Sequence, residues 1–200
     1  MKKTVAGLTG QSGAGKTTVS DAFKENGFEI INCDLVAREV TQAGSECCKK
    51  LAKIFPDCFD DGFALDRRKL GEIVFSDNAR LQMLNDTIYP FINKLIDEKI
   101  NTVQSRFILL DAPTLFEAGA DKLCSVIVSV VADYDIRLER ITKRDGISKE
   151  LAKKRFASQH TVEFFREHSS FVIENNGTVN ETYQKTCEVI KIIKERYNGG

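Results

Sequence analysis

The residues with the clearest chemistry form a glycine-rich segment near the start of the chain, at 10–18. It reads Gly-Gln-Ser-Gly-Ala-Gly-Lys-Thr-Thr and satisfies G-x-x-x-x-G-K-[ST] at every fixed position. In this motif backbone N–H groups and the lysine bind the phosphates of a nucleoside triphosphate, and the following hydroxyl binds Mg²⁺. The alternative is a glycine-rich turn without a ligand. The predicted nucleotide-binding residues here are Ser12, Gly13, Ala14, Gly15, Lys16, Thr17 and Thr18, with Thr17 also a metal ligand.

The sequence on either side of this loop fits the motif. An apolar run at 4–8 predicts a strand before the loop, and residues 17–24 predict a helix after it. The N-terminus of that helix would direct its positive dipole end at the phosphates. Glycines are needed in the loop because a Cβ would obstruct the approach of the phosphates.

Four further apolar runs predict the rest of a sheet, at 28–31, 107–110, 126–131 and 171–173. Several are continuously apolar and are separated by helical stretches, which is typical of parallel strands covered on both faces. We therefore predict an α/β fold with a parallel five-stranded sheet flanked by helices. The long helical gap after the second run indicates an insert at 35–105 within a nucleotide-binding core at 1–34 and 106–200.

The pattern within the insert predicts separate helices. Ser76 is a plausible N-cap for a helix over 77–84, and Pro90 is placed to open another over 91–103. The apolar positions of the second helix keep helical spacing, and simple core packing explains them.

Three classes of protein use such a phosphate loop, namely switch GTPases, motor ATPases and small-molecule kinases. The chain has no Asp-x-x-G, and the segment Asn93-Lys94 is not followed by the aspartate that reads guanine, which disfavours a switch. A motor usually needs a larger body than 200 residues. A small-molecule kinase remains.

Such a kinase needs a group that orients the acceptor hydroxyl and cations that neutralise the phosphoryl group. Asp34 closes the second apolar run, which predicts a position at the carboxyl edge of the sheet beside the phosphate loop, so it is our candidate base. The alternative is an N-cap for a helix over 35–40, which does not exclude the catalytic role. Asp111 ends the third run, where it would assist Mg²⁺ or make only local hydrogen bonds.

A basic segment at 137–155 carries eight cationic and three acidic side chains. Arg140 and Arg144 are spaced i, i+4 on one predicted helix face, as expected for a lid that brings cations to phosphates. For Lys149, Lys153 and Lys154 a solvated basic face is the simpler interpretation.

Composition limits the other functions. The chain has 29 Lys plus Arg and 29 Asp plus Glu, so its formal net charge is +0, and we expect no nucleic-acid or membrane partner. The six cysteines lack metal-type spacing and no secretory leader is recognised, which predicts free thiols and a cytoplasmic location.

Several segments together resemble the dephospho-coenzyme A (dephospho-CoA) kinase family of P-loop small-molecule kinases. The resemblance covers nearly the whole chain and rests on 7–18, 33–40, 65–70 (Leu-Asp-Arg-Arg-Lys-Leu), 113–117 (Pro-Thr-Leu-Phe-Glu), 143–148 (Lys-Arg-Asp-Gly-Ile-Ser), 155–159 (Arg-Phe-Ala-Ser-Gln) and 172–177 (Val-Ile-Glu-Asn-Asn-Gly). It implies ATP-dependent phosphorylation of the ribose 3′-hydroxyl of dephospho-CoA, the last step of coenzyme A biosynthesis. It also implies that the insert binds coenzyme A and that residues 140–168 form a lid.

The resemblance also implies roles for individual residues. Asp34 matches the family's proposed base, and Arg140 matches the lid arginine near the phosphates. Asn175 lies in a segment that matches the loop beside the adenine. The predicted catalytic residues are Asp34, Lys16 and Arg140. The further predicted site residues are Arg144 for ATP, Thr9, Arg38, Tyr89 and Glu117 for the acceptor, and Asp111 with Thr17 for Mg²⁺.

The chain departs from the family pattern at three positions. The family usually has Asp where this chain has Asn32, His where it has Tyr89, and Leu where it has Thr114. Tyrosine keeps an aromatic ring but lacks a titratable imidazole, so acceptor affinity or orientation would differ here.

Two rival functions stay open. One is a P-loop kinase for another nucleoside-like or pantothenate-like acceptor, and the other is a non-catalytic, nucleotide-gated binding module. The expected partners are ATP and dephospho-CoA, and the expected state is a monomer or a weak homo-oligomer.

Overall fold

The computed structural model describes residues 3–197, which form five β-strands and nine α-helices. The strands are β1 (Thr4–Gly10), β2 (Glu29–Asn32), β3 (Phe107–Asp111), β4 (Val126–Val131) and β5 (Phe171–Glu174). The helices are α1 (Lys16–Glu25), α2 (Cys33–Val40), α3 (Glu46–Ile54), α4 (Arg67–Val74), α5 (Asn78–Thr102), α6 (Tyr134–Asp145), α7 (Lys149–Ala157), α8 (Val162–His168) and α9 (Val179–Tyr197). No helix within the described residues is long and apolar enough to cross a membrane.

The chain forms two compact units. The first comprises the described residues up to Ile31, Gln104–Leu115 and those from Asp121 onward; the second comprises Asn32–Val103 and Phe116–Ala120. In the structure 32–34 and 116–120 belong to the second unit, although the sequence pattern assigns both to the nucleotide-binding core, and 104–105 belong to the first unit. The assignment of the nucleotide to one unit and of the acceptor to the other stays a prediction.

The first unit contains the sheet, whose strand order is β2-β3-β1-β4-β5. Strand β1 pairs in parallel with β3 and with β4, and β4 pairs in parallel with β5. The predicted fold class, a parallel five-stranded sheet flanked by helices, is confirmed. Because β3 separates β2 from β1, the carboxyl end of β3 lies between the ends of those two strands.

The core of the first unit explains why apolar and polar residues do not alternate along the strands. All seven residues of β1 are buried, since helices cover the sheet on both faces. Phe23 of α1 and Ile190 of α9 are buried in the same apolar cluster as Leu8 of β1. This packing holds the carboxyl ends of the strands and the start of α1 in place.

The second unit is helical, and its helices α2, α3 and α4 pack on the long helix α5. Its apolar cluster includes the buried residues Cys47, Leu51 and Leu70. An ion pair of 2.8 Å between Lys99 and Glu39 joins α5 to α2.

Two predictions about the helices of the insert are wrong. The structure has a single helix α5 with Pro90 inside it, where two helices were expected. Asp77, not Ser76, caps this helix: its carboxylate accepts from the Ala79 amide at 2.9 Å, whereas the Ser76 hydroxyl donates to the Ile73 carbonyl. A proline removes only one backbone hydrogen bond, and the helix keeps a packed apolar face on both sides of it, so packing outweighs this local cost.

The six cysteines, all within the described residues, form no disulfide, which agrees with the predicted thiols. Cys47, Cys48 and Cys58 are buried. Burial raises the pKa of the Cys47 thiol to about 11, so this side chain is an uncharged core residue at neutral pH.

Candidate active site

The phosphate loop connects the end of β1 to the start of α1, in the predicted order of strand, loop and helix. Gly13 and Gly15 have left-handed φ values of 79° and 94°. Gly15 is the N-cap of α1, no side chain caps this helix, and its first turn carries no acidic residue. The N-terminal amides and the positive dipole end of α1 are therefore suited to an anion.

The Gln11 N–H donates to the Val130 carbonyl of β4 at 3.2 Å, and two further amides of the loop are used within the protein. The Ala14 N–H donates to the Gln11 carbonyl at 3.1 Å. The Ser12 N–H donates to Oε1 of Gln159, also at 3.1 Å. These two bonds shape the loop, so the amides of Gly13 and Gly15 are better candidates for phosphate contacts.

Lys16 holds its ammonium group at the beginning of the loop. Its Nζ donates to the Gly10 carbonyl at 2.9 Å and to the Gln11 carbonyl at 3.4 Å. Thr17 is exposed and Thr18 is half-buried in the first turn of α1. The charge of Lys16 and the hydroxyl of Thr17 thus occupy consecutive positions where a triphosphate would bind.

Arg140 and Asn175 are both brought to this loop. The Arg140 guanidinium donates to the Asn175 carbonyl at 3.1 Å and to the Gly13 carbonyl at 3.5 Å. The buried Asn175 amide donates to the Ala14 carbonyl at 2.8 Å, and its Oδ1 accepts from the Thr182 hydroxyl at 2.6 Å. Asn175 therefore supports the phosphate loop itself, while its predicted position beside an adenine stays a prediction.

Arg144 has a different environment from Arg140. Its guanidinium donates to both carboxylate oxygens of Asp145, at 2.7 and 3.1 Å, and Arg155 donates to the same carboxylate at 2.7 Å. The two arginines, Arg144 first, lower the pKa of Asp145 to about 2. All side-chain polar contacts of Arg144 within residues 3–197 go to Asp145, so its predicted role in ATP binding stays a prediction.

Asp111 and Thr9 lie at the carboxyl edge of the sheet. Asp111 is the last residue of β3 and pairs in register with Leu8, two residues before the loop begins. Thr9 is buried, and its hydroxyl donates to the Pro113 carbonyl at 3.3 Å. Thr9 is therefore engaged within the protein, and Asp111 lies at the edge of the sheet from which the loop begins.

The second unit carries the other predicted site residues. Asn32 caps α2 by accepting from the Leu35 amide at 3.0 Å, so the alternative that Asp34 is the cap is wrong. Asp34 is exposed in the first turn of this helix, and its carboxylate has no hydrogen-bond or ion-pair partner within the described part of the chain.

The three remaining acceptor candidates also belong to this unit. Arg38 is exposed one helical turn after Asp34, on the same face of α2. Tyr89 is half-buried on α5, and Glu117 is exposed in the segment at 116–120. Their predicted contacts with an acceptor stay predictions.

Arg137 and Gln159 also contact the phosphate loop, although no sequence motif assigns a site role to either of them. The Arg137 side chain is buried and donates to the Ser12 carbonyl at 3.0 Å. In the sequence Arg137 is one of eight cations in the basic segment, and no periodicity separates a buried arginine from solvated ones.

Gly15 lies in close contact with the Asn175 side chain. A Cβ on residue 15 would overlap Nδ2 of Asn175, in addition to the strain of its φ of 94°. Gly15→Ala should therefore displace the Asn175 amide from Ala14, leave buried polar groups unpaired and weaken ATP binding. Urea unfolding and calorimetric ATP titration measure both effects.

Gly27→Ala is the matched control at the other end of α1. Gly27 has a similar φ of 82°, but a Cβ there would meet no atom within 4 Å. It should cost about 1–2 kcal/mol through backbone strain alone and leave the Kd for ATP unchanged. Gly15→Ala should cost about 1–3 kcal/mol more. Equal losses of stability with equal ATP affinity would contradict the supporting role of Asn175.

The chain is similar in sequence to known proteins over most of its length. The family model described as dephospho-CoA kinase matches residues 4–181. A dephospho-CoA kinase from Fusobacterium nucleatum is 35% identical over 189 residues, covering 93% of this chain and 98% of the relative.

Two solved structures have a similar fold over nearly the whole chain. A crystal structure from Thermus thermophilus has a TM-score of 0.85 and 28% identity, covering 96% of this chain and 98% of that one. A dephospho-CoA kinase from Campylobacter jejuni has a TM-score of 0.63 and 25% identity, with 96% and 97% covered. Because the family model and a relative above 30% identity both span most of its length, the chain belongs to the dephospho-CoA kinase family.

Proposed function

We propose that this chain transfers the γ-phosphoryl group of ATP to the ribose 3′-hydroxyl of dephospho-CoA, giving coenzyme A and ADP. This is the last step of coenzyme A biosynthesis. The observation that carries the proposal is the complete phosphate loop, in which Lys16 donates to the Gly10 carbonyl and Arg140 donates to the Gly13 carbonyl. The chain that contains it matches the family over residues 4–181.

In the proposed reaction the acceptor oxygen attacks the γ-phosphorus of ATP. A new P–O bond forms, the bond between the γ-phosphorus and the β,γ-bridging oxygen breaks, and ADP leaves. The hydroxyl proton passes to the carboxylate of Asp34. The exposure of Asp34 and its lack of a competing partner support this role.

The developing charge is neutralised by groups of the first unit. Lys16, Arg140 and the N-terminus of α1 supply positive charge at the loop, so positioning and electrostatics account for most of the rate enhancement. The loop amides of Gly13 and Gly15 hold the phosphates, and Ser12, Ala14 and Asn175 maintain the shape of the site. Thr18, in the first turn of α1, stays a proposed ATP-binding residue. Arg144 would contribute to ATP binding only after leaving Asp145.

Mg²⁺ is the proposed metal ion, and the donor atoms present fit it. Mg²⁺ is usually held by one or two carboxylates together with substrate phosphates and waters. The Thr17 hydroxyl and the Asp111 carboxylate are hard oxygen donors of this type, one at the start of α1 and one at the end of β3. When bound, the ion would neutralise phosphate charge. No group of three or more His, Cys, Asp or Glu that could hold a metal occurs within residues 3–197.

The acceptor is assigned to Asp34, Arg38, Tyr89 and Glu117, with Thr9 contributing from the end of β1. At Asn32 the departure from the family is a mild one, because Asn and Asp are about equally good N-caps. At Tyr89 the loss of imidazole removes a group that titrates near neutral pH, so a contribution from this position to the pH dependence is not expected.

We also propose a cytoplasmic location and a monomer or weak homo-oligomer. The six cysteines form no disulfide within the described residues, which supports a reducing compartment, since secreted proteins of this size commonly use cysteines in disulfides.

A coupled ADP-release assay across several acceptors tests the proposed function. With Mg²⁺ and ATP, dephospho-CoA should stimulate ADP release at least about tenfold more than adenosine, pantothenate or shikimate, because it is the acceptor of the proposed reaction. EDTA should abolish the signal and excess Mg²⁺ should restore it. Preference for another acceptor would support the rival kinase, and ATP binding without any ADP release would support the binding module.

A further inference from the structure

Arg137 is a buried cation beside the phosphate loop. It lies on α6 with 5% of its surface exposed, and its guanidinium stacks on the Phe156 ring at 4.1 Å. No carboxylate within the described residues forms an ion pair with it. Burial lowers the pKa of this arginine, but a guanidinium remains protonated at neutral pH. A buried charge of this kind needs compensation from hydrogen-bond acceptors or from a bound anion.

The acceptors come from Ser12 and Gln159. Nε of Arg137 donates to the Ser12 carbonyl, and an Nη donates to Oε1 of Gln159, both at 3.0 Å. Gln159 in turn accepts from the Ser12 N–H at 3.1 Å and donates to the Ser12 hydroxyl at 2.6 Å. Every polar group of Ser12 is therefore bound by one of these two side chains.

The backbone of α6 also contacts the loop one residue later. A Cβ on Gly13 would lie 2.8 Å from the Arg137 carbonyl, so only glycine permits this approach. Gln159 lies two residues after the end of α7, in the segment assigned to the lid. Arg137 thus joins three segments, namely the phosphate loop, α6 and the end of α7.

We propose that Arg137 and Gln159 are positioning residues, which hold Ser12 and thereby set the shape of the phosphate loop for the triphosphate. The inference rests on the proposed function only in that the loop binds ATP. Arg137 does not touch the reacting atoms; it acts through Ser12. Its charge adds to the positive potential at the loop, and a bound triphosphate would compensate that charge.

A purely structural role of Arg137 would change the kinetic constants differently. If Arg137 only stabilised the fold, its loss would lower the amount of folded enzyme, and hence the apparent kcat, while the KM values for both substrates stayed unchanged. A positioning role raises the Kd and KM for ATP and leaves the KM for the acceptor unchanged.

The test uses calorimetric ATP titration and steady-state kinetics on Arg137→Met, Gln159→Leu and the double variant. Each single change should raise the Kd for ATP about tenfold to a hundredfold, because hydrogen bonds to a charged group are lost. The KM for dephospho-CoA should stay within about twofold. The double variant should be little worse than the single variants, because either change releases Ser12. Arg137→Lys keeps the charge and one bond, so it should recover part of the affinity.

Lys143→Met is the matched control, since Lys143 is an exposed cation on the same helix. Its ATP affinity should equal that of the wild type. If Arg137→Met does not fold, Gln159→Leu carries the test, because this side chain is only half-buried. A Kd for ATP within about twofold of wild type in folded Gln159→Leu and Arg137→Met would overturn the proposal. Since ATP binding is measured without acceptor, failure of the proposed kinase activity would be seen separately, as wild-type enzyme that binds ATP but forms no coenzyme A.

Discussion

Replacing Asp34 by Asn is expected to lower kcat about 10²- to 10⁴-fold, which is the usual contribution of a positioned general base. The amide has nearly the same size as the carboxylate and can still accept a hydrogen bond, but it cannot accept the proton of the acceptor hydroxyl. Asp34 belongs to the helical unit and not to the phosphate loop. The Kd for ATP should therefore stay within about twofold of wild type in a calorimetric titration.

Glu39→Gln is the matched control for this change. Glu39 is another exposed carboxylate on α2, and its ion pair with Lys99 is a surface pair that contributes little stability. Its kcat should remain within about twofold of wild type. Near-normal turnover by Asp34→Asn, with the control also active, would remove Asp34 from the role of base.

Replacing Lys16 by Met is expected to lower kcat/KM for ATP about 10²- to 10³-fold, since one charged donor to the transferring phosphoryl group is lost. Methionine keeps most of the side-chain volume but cannot donate to the Gly10 and Gln11 carbonyls or to a phosphate. The β1 and α1 residues that form the core are unchanged, so the protein should still fold. Steady-state kinetics with varied ATP, together with circular dichroism, measure the two effects.

Lys24→Met tests whether the loss is local to the loop. Lys24 lies in the last turn of the same helix and is exposed. Its kcat/KM for ATP should match that of the wild type. If Lys16→Met kept the wild-type value, the assignment of Lys16 to the phosphates would be wrong.

Most of the sheet and the phosphate loop were predictable because their signals are local. The apolar run at 4–8 and the fixed residues of the loop determine a strand, a turn and a helix without reference to distant contacts. The predicted start of β2 at Phe28 differs from the observed start at Glu29 by one residue, which is an ordinary end effect. Helix α5 was not predictable in this way, because packing along its whole length keeps it continuous through Pro90.

In the basic segment at 137–155, residue spacing does not predict which cations contact the phosphate loop. Arg140 and Arg144 share a predicted helix face, yet only Arg140 contacts the phosphate loop. Asp145 follows Arg144 directly and binds its guanidinium, and Arg137 is buried under Phe156. Sequence gives the number of cations in such a segment, but the tertiary contacts decide which of them face a nucleotide.

The most direct test of the account is mass spectrometry of dephospho-CoA incubated with the protein and MgATP. The expected product carries one added phosphate and coelutes with authentic coenzyme A, while ATP is converted to ADP in equal amount. The Asp34→Asn variant should form this product far more slowly. Unchanged dephospho-CoA in the presence of folded, ATP-binding wild-type protein would contradict the proposed function.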